Sequence, residues 1–135
     1  MKKRVFLLLF SVVIIGCDNF SLDGELYRET KVEYKVTAMS SFNTDAKVTT
    51  GLLESGYFKL EDTKDINQLP FKSSYFETIN LAANAGLIFK DNSDKSSFKS
   101  YKITLQISQN SALIKAEDFT IDYAGKEVSV NVFIN

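Results

Sequence analysis

The chain has 135 residues, 16 Lys and Arg against 17 Asp and Glu, one cysteine, and neither histidine nor tryptophan. Without histidine the commonest general base and the commonest transition-metal ligand are both missing. A single cysteine excludes an internal disulfide framework, so the fold must rest on apolar packing.

Lys2, Lys3 and Arg4 open the chain as a positive segment. Val5 to Gly16 follows as an apolar run of about twelve residues, the length of a secretory signal. Crossing a bilayer takes roughly 18 apolar residues or more, and this run is shorter. It ends at Ile14-Ile15-Gly16-Cys17, with polar Asp18 and Asn19 directly after. That ending resembles the lipobox of bacterial lipoproteins. The resemblance implies a diacylglyceryl thioether on Cys17, cleavage between Gly16 and Cys17, and acylation of the new amine. A thiolate suits S-alkylation, and two buried acyl chains anchor stably. An ordinary signal peptide with an incidental cysteine and an uncleaved anchor are the alternatives. Residues 1–16 are thus expected as signal peptide, 17–30 as lipidated cysteine and tether, and 31–135 as one β-sandwich domain.

Removing Lys2, Lys3 and Arg4 leaves 13 basic against 17 acidic residues, a formal charge of −4. A mildly acidic surface disfavours nucleic acid as a partner, since phosphate binding needs a basic face. The expected partners are the membrane, through lipidated Cys17, and a protein of the bacterial cell envelope. Asp18 after the cysteine resembles an inner-membrane retention signal of some Gram-negative sorting systems. The polar stretch Asp18 to Thr30 reads as a tether spanning about 20 Å root-mean-square if flexible.

From Lys31 the pattern has period two. Val32, Tyr34, Val36 and Ala38 alternate with polar residues, as in a half-buried antiparallel strand. Ser40 to Asp45 reads as a turn, Ala46, Val48 and Thr50 as a second strand, and Gly56 to Leu60 as a short third. Glu61 to Gln68 reads as a polar loop ending at Leu69-Pro70-Phe71, where proline suits a strand edge or entry.

Tyr75 to Ala82 places Tyr75, Glu77, Ile79 and Leu81 on one side. Leu87-Ile88-Phe89 reads as the end of the same hairpin, and Leu81 to Ala85 allows one helical turn at most. Asp91 to Ser97 is a loop. Phe98 to Ser108 is the strongest strand, with Ile103, Leu105 and Ile107 inward. Asn110 suits the positive φ of a tight turn. Ala112 to Ala116 and Phe119 to Tyr123 read as two further strands. Ala124-Gly125-Lys126 turns the chain, and Val128, Val130, Val132 and Ile134 line the last strand's core face. About seven to eight short strands with turn clusters predict an all-β, immunoglobulin-like antiparallel β-sandwich. A small closed barrel is the other solution.

Four stretches resemble successive parts of MmpS-like proteins, small membrane-anchored β-sandwich proteins. They are Tyr34-Lys35-Val36-Thr37, Ala46-Lys47-Val48-Thr49, Leu69 to Tyr75, and Ile103 to Ala116. Phe71 stands where that family carries tryptophan, and Asn110-Ser111 replaces Asp-Gly. The resemblance implies an accessory role beside a membrane transporter and supplies no catalytic residues.

Candidate sites are few. Glu61, Asp62 and Asp65, and Asp91 and Asp94, are oxygen-rich, but neither loop has the spaced ligands and glycine of a calcium loop, and Lys64 and Lys95 intrude. Ser73, Ser74, Ser96 and Ser97 have no histidine to activate them. Paired carboxylates for glycosidic chemistry need a cleft, which a domain this small rarely offers. The adjacent aromatics Tyr57-Phe58 and Tyr75-Phe76 must point to opposite faces of their strands, one to the core and one outward. The expectation is a non-catalytic binding or scaffolding module without a cofactor. The alternative is a carrier holding a small apolar ligand in a sandwich or barrel cavity.

Overall fold

The computed structural model describes residues 27–80 and 82–135. Gly16, Cys17 and the signal segment lie outside them. Among the described residues eight strands form: β1 Tyr27–Ala38, β2 Phe42–Glu54, β3 Tyr57–Leu69, β4 Phe71–Asn80, β5 Ala83–Asp91, β6 Tyr101–Gln109, β7 Ala112–Ile121 and β8 Glu127–Ile134. They make two antiparallel four-stranded sheets, in the orders β4-β1-β6-β7 and β3-β2-β5-β8. The expected all-β antiparallel sandwich is what forms, as two separate sheets and not a closed barrel. Its connectivity is distinctive: β1 and β2 sit in opposite sheets, whereas an immunoglobulin domain keeps its first two strands in one.

Period two builds the core. Val32, Tyr34 and Val36 of β1 and Ile103, Leu105 and Ile107 of β6 face Ala46 and Val48 of β2 and Ala85, Leu87 and Phe89 of β5, all buried. Val128, Val130 and Ile134 of β8 complete the layer, as their alternation predicts. Inside it, the Tyr34 hydroxyl donates to the Gly51 carbonyl at 3.2 Å. Burial holds that phenol well above its ordinary pKa, so it stays a neutral donor.

Two edge strands, β3 and β7, depart from the expected boundaries. Glu61 to Gln68, expected as a loop, is the body of β3. Ala112 to Ile121, expected as two strands, is continuous. Both are edge strands, with solvent along one side and little apolar alternation to display. Leu87-Ile88-Phe89 does not close a hairpin with β4: β5 lies in the other sheet, between β2 and β8. Ala83 to Ala85 is strand, not helix. β1 begins at Tyr27, inside the expected tether, because Thr30 is buried beside the β6–β7 turn. β2 begins at Phe42, leaving Met39 to Ser41 as the turn.

Each end of the sandwich has its own clamp. At the end where β1 starts, Asn110 and Ser111 take φ of 48° and 72°, a two-residue hairpin turn. Asn110 bonds back to Lys31 through its Oδ1 and its backbone nitrogen, at 3.0 and 2.9 Å. Gln109 holds Asn135 at the same end.

At the other end Asp91 is fully buried. Its carboxylate accepts from Ser93 N at 3.1 Å, Ser93 Oγ at 2.8 Å, Tyr101 OH at 2.9 Å and Gly125 N at 3.1 Å. One side chain thereby joins β5, β6 and the β7–β8 turn. Asp91→Ala should lower the unfolding free energy by about 3 kcal/mol or more, since hydrogen bonds to a charged group contribute roughly 1.5–3 kcal/mol each. Urea unfolding followed by circular dichroism measures this, with an unchanged slope expected.

Candidate interaction surface

The outer face of the β3-β2-β5-β8 sheet is read from its register. Residues directly opposite in an antiparallel pair share a face. The row nearest the start of β1 is Phe58, Leu53, Asn84 and Phe133. Next comes Glu61, Gly51, Gly86 and Asn131, then Thr63, Thr49, Ile88 and Ser129. The fourth row, Asp65, Lys47, Lys90 and Glu127, is charged and forms two ion pairs of 3.7 and 3.9 Å.

The second row makes the site. Two glycines stand side by side on the central strands, so the floor there is bare backbone. A methyl on Gly86 would lie 2.9 Å from Leu53 Cδ1 and 3.1 Å from Phe58 Cε1, because those side chains lean over it. The result is a groove of about 430 Å³. Leu53, Phe58 and Ile88 supply its apolar wall, and Glu61, Ser129 and Asn131 its polar rim. Tyr57, 81% exposed, and Phe133, 70% exposed, flank it.

The pair Tyr75-Phe76 splits as expected. Tyr75 packs against the core and Phe76 is exposed. Phe58 differs from the expectation. Tyr57 is exposed, yet Phe58 covers Gly86 on the outer face and not in the core. The register shift between Leu52 and Leu53 sets it opposite outward-facing Leu53. Glycine inside a strand signals a close approach, and Gly51 and Gly86 were the available pointer to this groove.

The acidic stretches do not assemble. Glu61 faces the groove, Asp65 pairs with Lys47, and Asp62 turns inward to meet Tyr75 and Lys64 between the edges of β3 and β4. Hydrogen bonds from Tyr75 and Lys64 hold the Asp62 carboxyl below its usual range. Asp91 spends its oxygens on four donors, and Asp94 offers its carbonyl to Ser97. Among the described residues no group of three potential metal ligands gathers. Ser73 Oγ is buried without a hydrogen-bond partner, while Ser74, Ser96 and Ser97 are exposed.

A second cleft, about 410 Å³, lies at the opposite end between Phe42, Phe98 and Tyr101. Its rings pack on one another, Phe42 on Tyr101 at 5.0 Å. Its remaining walls come from the start of β2, Asn43 to Asp45, and from the segment between β5 and β6.

No protein-family model matches this chain. No curated protein matches it either.

Gly86→Val should fill the groove floor and displace Leu53 and Phe58, with a stability loss of about 1–3 kcal/mol, the range for overpacking. Chemical denaturation measures the loss. Glu77 faces inward on edge strand β4, and burial raises its pKa above the ordinary 4.5. The folded state therefore takes up that proton before the unfolded one. Its charge opposes folding above the folded pKa, and the penalty disappears below the unfolded value. Glu77→Gln should be more stable than wild type at pH 7, with the gap closing as pH falls towards 4. A gap that widened in acid would contradict this.

Proposed function

We propose that the mature chain is a lipid-anchored lipoprotein of the bacterial envelope whose sandwich acts as a non-catalytic binding module. The groove over Gly86 is the observation that carries the binding role. Its floor, wall and flanking aromatics give a partner apolar area to bury, and its rim gives donors and acceptors for register.

The anchor rests on the lipobox resemblance of Ile14 to Cys17. With β1 starting at Tyr27, Asp18 to Leu26 joins anchor to domain. If flexible, that stretch spans about 16 Å. It enters at the end of the sandwich where Tyr57, Leu113 and Phe133 are exposed, so the groove faces a partner held close to the bilayer. A transporter partner, as the MmpS-like stretches imply, fits this placement. The carrier reading finds less support. The inter-sheet layer is occupied by Tyr34, Phe89, Leu87 and Leu105, which leaves an apolar ligand the outer groove.

Membrane fractionation tests the anchor. Wild type should partition with membranes, and Cys17→Ser should remain an unprocessed precursor of lower electrophoretic mobility. Equal mobility and equal membrane partition in both would end the lipoprotein reading.

A further inference from the structure

Among the described residues the sandwich has four edge strands: β4 and β7 in one sheet, β3 and β8 in the other. A free edge offers unpaired backbone donors and acceptors, and inward-pointing charges are one device that blocks pairing there. Register shows which edges use it. On β3, Asp62 and Lys64 lie opposite inward-facing Thr50 and Val48. On β4, Glu77 lies opposite buried Thr30. On β7, Lys115 and Glu117 lie opposite buried Ile107 and Leu105. β3 and β7 also carry register shifts, and Pro70 precedes β4.

β8 has none of these. From Val128 to Ile134 it reads VSVNVFI, without a charge, a proline or a register shift against β5. Its inward positions are Val128, Val130, Val132 and Ile134.

The ladder with β5 fixes which backbone groups of β8 are free. Asp91 N donates to Lys126 O at 3.0 Å, which makes Lys126 a residue bonded toward β5. Antiparallel ladders alternate, so Val128, Val130 and Val132 also bond toward β5. Ser129, Asn131 and Phe133 then aim their N–H and C=O groups at the open edge.

We propose that β8 is an assembly edge, and that it pairs antiparallel with β8 of a second copy of this chain about a two-fold axis at Asn131. That register centres the segment Glu127 to Asn135 on itself. Asn131 faces its own counterpart and Ser129 faces Phe133. Glu127, the one charge, falls opposite Asn135 and not opposite another carboxylate. Val130 meets Val132 on the core side, continuing the apolar layer across the junction. The pairing is isologous, as a closed dimer requires. It joins two four-stranded sheets into one of eight and sets two grooves side by side, since Ser129 and Asn131 belong to both groove and edge. This assembly does not depend on the lipid anchor.

Cysteine crosslinking in the full chain carrying Cys17→Ser tests the register. Asn131→Cys places two thiols on a directly opposed pair, with Cα atoms about 5.5 Å apart, within disulfide reach. Phe133→Cys puts each thiol opposite Ser129 of the other copy, out of reach of its equivalent. Oxidation should convert Asn131→Cys to covalent dimer and leave Phe133→Cys monomeric. Equal yields, or a monomer by light scattering of the uncrosslinked chain at about 100 μM, a concentration at which a dimer of about micromolar affinity is mostly assembled, would overturn the proposal. Asn131→Pro removes an N–H that the β5 ladder does not use. It should keep the circular dichroism spectrum and weaken association roughly tenfold or more, through loss of the two central hydrogen bonds.

Discussion

One layer of apolar side chains between two sheets holds this molecule, with nothing covalent behind it. The only cysteine lies outside the described residues, so no bridge within the sandwich relieves the packing of its work. Val32, Val36, Leu87, Phe89, Leu105 and Ile107 are fully buried, and each sits where strict alternation places it. A slip of one residue in any central strand would turn that strand's whole apolar set outward. Register and core are therefore a single constraint.

The polar groups inside the layer follow from it. A buried polar atom is tolerated when it is hydrogen-bonded. Tyr34 reaches the Gly51 carbonyl, and Asp91 collects four donors from three segments. The Asp91 cluster also explains why the long segment between β5 and β6 has a fixed course. Its first residues are tied to the carboxylate, and Tyr101 at its end is tied to the same group. Burial above all, with smaller contributions from the hydrogen bond to Asp91 and its charge, keeps the Tyr101 phenol protonated and able to donate.

Function on such a fold comes from what the outer faces and edges carry, because sandwiches host many unrelated roles. Here the two features coincide on one sheet. Its outer face has the glycine-floored groove, and its β8 edge lacks the inward charges found on the other three. Charge is distributed to match. The fourth row of the face pairs Lys47 with Asp65 and Lys90 with Glu127, far from the groove, so the apolar part is bounded by neutral polar residues and Glu61.

The sequence by itself determined the class of fold, the alternating strands β1, β2, β6 and β8, and the Asn110 turn. Those strands have one wet and one buried face, and period two records that difference. It also located Cys17 as the candidate lipidation site and excluded histidine chemistry. Only the tertiary structure decided that Glu61 to Gln68 is strand, that β5 leaves β4 for the opposite sheet, and that Asp91 is a buried anchor and not a loop acid. An edge strand needs no apolar alternation, and a crossover between sheets leaves no mark on residue order. Gly51 and Gly86 lie 35 positions apart in the chain. Their meeting depends on the register of β2 against β5, which packing of the whole layer sets.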